Sequence, residues 1–230
     1  MNYGIPVKKS CKTVVTIHDV IPLVLNGYLK TFAEKSYYRA AIKLAVTRSD
    51  KIITDSCFSR DELIKHLSIS SKKIEVVYLG CGEEFVPIHD QARLNIVRDK
   101  FGLQRPFVMT IGGNEPRKNV RSLVEAFERI GDKYKLDLVV VGGNWRGIEL
   151  SPDIKDKRNI IFLGSVEQEE LICLYNLAEL FVFPTLYEGF GLPVLEAMSC
   201  GTPVLASNTS SIPEVTGDAA NLFDPLDKKT

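Results

Sequence analysis

Two glutamates bracket the run Glu188-Gly189-Phe190-Gly191-Leu192-Pro193-Val194-Leu195-Glu196. An apolar strand ending at Phe183-Pro184 precedes it. The pattern after Gly191 reads as a helix with Pro193 in its first turn, where a missing N–H costs little. Ligands of an open α/β sheet bind beyond the carboxyl ends of its strands. There Gly189 and Gly191 let the backbone approach an anion closely, and the helix start supplies N–H groups and a positive dipole end. A diphosphate suits such a place. Glu188, just before the turn, can reach groups around the anion. Glu196, in the first helical turn, can accept hydrogen bonds from a pair of vicinal hydroxyls. Taken alone, Glu196 reads more simply as a carboxylate complementing the helix dipole.

A second constellation is Ile111-Gly112-Gly113-Asn114-Glu115-Pro116-Arg117-Lys118-Asn119. It also follows a strand, and it brings two cations, Arg117 and Lys118, to a glycine turn just before a helix. Charge-assisted hydrogen bonds from such groups are the strong kind for phosphate oxygens; the bland alternative is a solvated basic pair. Gly112-Gly113 is not a Gly-x-Gly-x-x-Gly fingerprint, which argues against a dinucleotide dehydrogenase. A third candidate is His18-Asp19 at the end of the strand Val14-Val15-Thr16-Ile17. A lone histidine is more often structural, yet at a strand end both side chains point toward the ligand crevice. His66 and His89 read as surface residues.

The run Glu-Gly-Phe-Gly-Leu-Pro-x-x-Glu-Ala-Met resembles the signature of the retaining glycosyltransferases of family 4, whose architecture is GT-B. The resemblance is nearest to bacterial mannosyltransferases of cell-surface polysaccharide synthesis. It implies that Glu188 contacts the donor sugar, that Glu196 contacts the nucleotide ribose, and that Gly189, Phe190, Gly191 and Leu192 face the sugar and diphosphate. Gly112-x-x-x-x-Arg117-Lys118-Asn119 resembles the family motif whose cations hold the diphosphate. Many relatives carry a further arginine directly after the first glycine, where this chain has Gly113. Arg117 then supplies the guanidinium, or the burden falls on Lys118. His18-Asp19 resembles the first-domain motif that faces the sugar. Gly164-Ser165-Val166 resembles the loop whose backbone reads the base, which brings in Gly164 and Val166.

These groups need elements to position them. Short apolar runs alternate with amphipathic stretches. Strands are expected at 14–17 (buried), 51–54, 74–78, 107–111, 136–141, 159–163, 180–183 and 203–206. Helices are expected at 28–48, about 55–67, 91–101, 120–130, 168–176 and 192–200. Alternation of this kind implies parallel sheets with helices on both faces. The fold class is therefore α/β, and the resemblance implies the GT-B type with two Rossmann-like domains: a first, acceptor-side domain over 1–88, a linker over 89–103 and a nucleotide-sugar-binding domain over 104–230. The resemblance further implies a chain partial at both ends, with the first domain incomplete. An unpaired sheet edge would then favour oligomers.

Bulk composition removes other classes. The chain of 230 residues is 45% hydrophobic and 25% charged, as in ordinary globular proteins, and its 29 basic and 29 acidic side chains cancel. No basic excess points to nucleic acid. Five cysteines without a C-x-x-C pair read as thiols of a reducing cytoplasm rather than a zinc site or disulfide framework. No apolar run approaches the ~20 residues of a membrane span, which leaves peripheral contact at the inner membrane face open.

The expected activity is retaining transfer of a sugar, with mannose from GDP-mannose favoured, from a nucleoside diphosphate sugar to a glycan or lipid-linked glycan. No cofactor and no metal are expected. The resemblance implies that His18 and Glu188 are the catalytic residues. The alternative is a nucleotide-sugar-binding piece without turnover of its own. Hydrolysis by paired carboxylates fits poorly, since Glu188 and Glu196 have other work.

Overall fold

The computed structural model describes residues 10–25, 27–143 and 159–227. The chain divides into two compact units. The first comprises Met1–Leu79 together with Tyr187–Phe190, and the second comprises Gly80–Leu186 together with Gly191–Thr230.

The first unit contains β1 (Val14–Thr16), α1 (Ile21–Val24), α2 (Phe32–Arg48), β2 (Lys51–Thr54), α3 (Cys57–Leu67) and β3 (Ile74–Val76). Its strands pair in parallel in the order β1-β2-β3. Ile17, Ile42, Ile52 and Leu63 are fully buried in its core. The expected buried first strand is instead an edge strand. Val14 and Thr16 are exposed, because β1 has a paired neighbour on one side among the described residues. Helix α2 begins later than the spacing of Leu29 suggests. Thr31 and Glu34 form a reciprocal capping box, each side chain bonding the other's backbone N–H, and this fixes the start at Phe32.

The second unit contains α4 (Gln91–Lys100), β4 (Phe107–Ile111), α5 (Val120–Glu128), α6 (Gly131–Tyr134), β5 (Asp137–Val141), β6 (Ile160–Gly164), α7 (Gln168–Leu177), β7 (Leu180–Phe183), α8 (Leu192–Ser199), β8 (Val204–Ser207), α9 (Ile212–Thr216) and β9 (Asn221–Phe223). All its strands are parallel, in the order β6-β5-β4-β7-β8-β9. Alternate residues of the central strands go to opposite faces, as the strand period requires. Met109, Val139 and Phe181 join one core with Leu174 and Val194, while Val108, Leu138 and Val182 join another with Val124 and Phe127. Full burial of each such side chain stabilises by about 1.5–3 kcal/mol before entropy is counted. Residues 89–103, expected as a linker, lie in this unit: Leu94 and Val97 of α4 and Leu103 are buried in the first of these cores. The fold is α/β with parallel sheets throughout, as the alternation of apolar runs implies.

Candidate functional site

The second sheet builds outward in both directions from β4 and β7. From β4 the chain proceeds to β5 and β6 on one side; β7, on the other side of β4, continues to β8 and β9. Strand order therefore reverses between β4 and β7, which is the position where open α/β sheets bind ligands beyond the strands' carboxyl ends. Both glycine-rich segments found in the sequence leave those two strands. They are joined there: the Arg117 carbonyl accepts from the Leu186 N–H at 2.7 Å and from the Thr185 hydroxyl at 3.1 Å.

On the β4 side, the Gly112 N–H bonds the Val141 carbonyl at 3.0 Å, which keeps the turn against the end of β5. Gly113 lies against Gly143. A single 3-10 turn, Pro116–Lys118, follows and carries both cations. The Arg117 Nε donates to Glu115 Oε2 at 2.9 Å. Lys118 Nζ stands 5.1 Å from the centre of the Phe183 ring, an arrangement in which the ring face attracts the ammonium. Farther along the same edge, Gly164 closes β6 with a positive φ of 69° and accepts from the Gly142 N–H at 2.6 Å. Val166 is half-buried against the core.

On the β7 side, Gly191 is the N-cap of α8, with φ 116°. A Cβ there would stand 2.6 Å from the Ile212 side chain, so both backbone conformation and space call for glycine. Leu192 opens the helix after the Gly191 cap, so Glu196 lies just past the first turn rather than in it as expected. Tyr175, fully buried on α7, donates its hydroxyl to Glu196 Oε2 at 2.9 Å and also contacts the Pro193 carbonyl at 3.2 Å. Burial holds the Glu196 carboxyl above its usual range; the Tyr175 bond opposes this, and Glu84 adds to it. Burial, reinforced by Glu196, pushes the Tyr175 hydroxyl far up, so it stays a donor.

In the first unit, His18 follows β1 and Asp55 follows β2, the neighbouring strand. The His18 Nδ1 lies 2.8 Å from Asp55 Oδ2, with the histidine exposed and the aspartate buried. A buried carboxylate in that position holds the imidazole with Nδ1 protonated and turns Nε2 outward. Asp19 Oδ1 accepts from the N–H of Ile21, the first residue of α1, at 2.9 Å. The segment Tyr187–Phe190 belongs to this unit. Gly189 lies so near Asp19 that a Cβ on it would come within 2.7 Å of the aspartate Cβ. Glu188 and Phe190 are buried, and the Phe190 ring tilts against Tyr78 at 6.3 Å.

The sequence-derived residues thus fall into two groups. Gly112, Gly113, Arg117, Lys118, Gly191, Leu192 and Glu196 gather at one edge of the second sheet, with Gly164 and Val166 farther along it. His18, Asp19, Glu188, Gly189 and Phe190 lie in the first unit. Sequence reasoning overlooked Asp55 as the partner of His18, Tyr175 as the partner of Glu196, and Glu115 as the partner of Arg117. Asp55 follows β2 as His18 follows β1, but nothing local in the sequence pairs the two; its neighbour Ser56 caps α3. His66 and His89 are exposed, as expected.

Two known families match the chain. Residues 91–229 match the family of glycosyl transferases group 1, and residues 3–84 match glycosyltransferase family 4. The chain is 37% identical over 227 residues to the serotype-specific mannosyltransferase WbdA of Escherichia coli, covering 94% of this chain and 28% of that protein. It is 33% identical over 224 residues to the O-antigen chain mannosyltransferase B of Escherichia coli, covering 94% of this chain and 58% of the relative. The chain therefore spans less than two thirds of either relative. Among solved structures, Anabaena HepE in complex with UDP and glucose superposes with a TM-score of 0.78 at 19% identity, over 95% of this chain and 59% of that one. That likeness concerns the fold, which is of the GT-B type.

Proposed function

The chain belongs to the group 1 glycosyltransferases, and on that premise we propose that it binds a nucleoside diphosphate sugar, GDP-mannose by preference, for transfer of mannose with retention to a glycan or lipid-linked glycan. The observation that carries the reading is the convergence of the Arg117-Lys118 turn and the start of α8 at the strand-order reversal of the second sheet. Anionic charge is favoured there by two cations and by helix N–H groups.

The proposed division of work follows the units. In the second, Lys118, Arg117 and the start of α8 stabilise the diphosphate as it departs, a term that is usually large because the donors are already in place. Glu196 accepts from the ribose hydroxyls with the carboxylate oxygen that Tyr175 leaves open, and the backbone around Gly164 meets the base. In the first, His18, oriented by Asp55, and Glu188 bond the sugar. Cations of the chain, rather than a metal, carry the leaving-group charge in this reading. It places the work in the cytoplasm, where five thiols remain reduced; among the described residues no helix is long and apolar enough to cross a membrane. The names of the two Escherichia coli relatives support mannose and a polysaccharide product.

The test is a thermal-shift panel of nucleoside diphosphate sugars on the wild type, Glu196→Ala and Lys118→Ala. GDP-mannose is expected to raise the wild-type melting temperature most, with the rise lost in both variants. Equal shifts in all three proteins would remove the donor-site assignment.

A further inference from the structure

Helix α3 and its cap present three polar side chains, Ser56, Ser59 and Glu62, at a spacing of three. That spacing puts them along one face. All three are buried. Ser56 is the N-cap, and its hydroxyl oxygen accepts from the Ser59 N–H at 2.9 Å. The same hydroxyl donates to the Gly189 carbonyl at 2.6 Å, and the Ser59 hydroxyl donates to that carbonyl at 2.9 Å. One turn beyond Ser59, Glu62 Oε2 accepts from the Tyr187 hydroxyl at 3.1 Å. Phe58 meets the Tyr187 ring edge to face, with centroids 5.2 Å apart. Lys65 and His66 flank Glu62 at 2.9 and 3.4 Å. Burial and Glu62 both push the Tyr187 hydroxyl far up, so it remains a donor.

A cap needs one serine and no distant carbonyl. Here two hydroxyls converge on a single peptide oxygen more than a hundred residues away in sequence, and a third group holds the residue two positions before it. In a planar trans peptide the C=O and the following N–H point in opposite directions. Fixing the Gly189 oxygen toward α3 therefore sets the direction of the Phe190 N–H away from it. Glu188 sits between two residues that are both gripped.

We propose that Ser56, Ser59 and Glu62 are positioning residues that hold Tyr187 and Gly189 so that Glu188 and the Gly189–Phe190 peptide are set for the donor sugar. This rests on the donor reading above, and it adds that the sugar increment of binding is controlled from α3 while the nucleotide increment is not.

The test is isothermal titration calorimetry with GDP and with GDP-mannose on the wild type, Ser59→Ala, Tyr187→Phe and the double variant, with Ser59→Thr as the conservative control. Ser59→Ala leaves the Ser56 cap in place, and Tyr187→Phe keeps the ring packing. The wild type should bind GDP-mannose more tightly than GDP. Each single variant should reduce that ratio roughly fivefold, the effect of one hydrogen bond, with GDP affinity unchanged, and Ser59→Thr should restore it. An unchanged ratio in the double variant overturns the proposal, as does a parallel loss of both ligands, which marks a purely structural role. A wild type that binds GDP and GDP-mannose equally also overturns it. A wild type that binds neither removes the donor reading and the proposal with it.

Discussion

Glu188 and Glu196 stand eight positions apart in one signature, yet they belong to different units and are held by unlike means. Glu188 lies in a four-residue segment of the first unit, fixed through its neighbours by a helix distant in sequence. Glu196 lies on α8 of the second unit, fixed directly by the Tyr175 hydroxyl. A contiguous motif need not be one structural object. Its first half depends on the packing of α3, and its second half on the packing of α7 against α8.

Truncating each carboxylate should separate the two most strongly. In our reading Glu188→Ala lowers mannose transfer from GDP-mannose by about a hundredfold, the scale of losing one preorganised group at a reacting centre, while GDP binds as in the wild type. Glu196→Ala instead weakens GDP itself. Steady-state rates beside GDP calorimetry separate the two; identical profiles would mean that the two halves act as one.

The second effect concerns the backbone where the chain returns to the second unit. Gly191→Ala combines a left-handed conformation with a clash against Ile212, and a cost of about 2 kcal/mol or more is expected in denaturant unfolding. A loss below half of that would mean that α8 shifts freely and does not fix Glu196.

Strands β2, β4 and β7 were legible to the residue, because each is an apolar run ended by a polar, proline or glycine residue that cannot continue it. The signature was legible because its glycines and glutamates sit close together along the chain. Helix α9 and strand β9 were not, since five and three residues carry too little periodicity. The grip of Ser59 on Gly189 and the bond of Asp55 to His18 were illegible for another reason. They are tertiary pairings between residues 130 and 37 positions apart, and no local spacing encodes them.

The Asp55 pairing gives the third prediction. Asp55→Asn keeps the side-chain shape but removes the charge beside His18 Nδ1. Transfer should fall about tenfold, as with partners that orient a functional histidine, and GDP affinity should stay. A fall in GDP affinity would join His18 to the nucleotide half and dissolve the contrast between the glutamates.

The smallest effect distinguishes how Glu196 is tuned. A carboxyl accepts from ribose hydroxyls when ionised. Burial raises the native value of Glu196, so its contribution to GDP binding is lost as pH falls through a value above the ordinary 4.5. The linkage to folding has the opposite sense: the native state holds the proton more tightly than the unfolded chain, so this group costs stability as pH rises from the ordinary value through the raised one. The Tyr175 hydroxyl opposes the shift. Tyr175→Phe should therefore move the loss of GDP affinity to higher pH and weaken binding at neutral pH by only a few-fold. Glu196→Gln, titrated in parallel, subtracts the protonation of GDP itself. If Tyr175→Phe leaves the wild-type-minus-Gln difference in place along the pH axis, the tyrosine is packing for α8 rather than a partner of the carboxylate. Glu196 would then be positioned by its helix alone, in sharper contrast to the hydroxyl-gripped segment that carries Glu188.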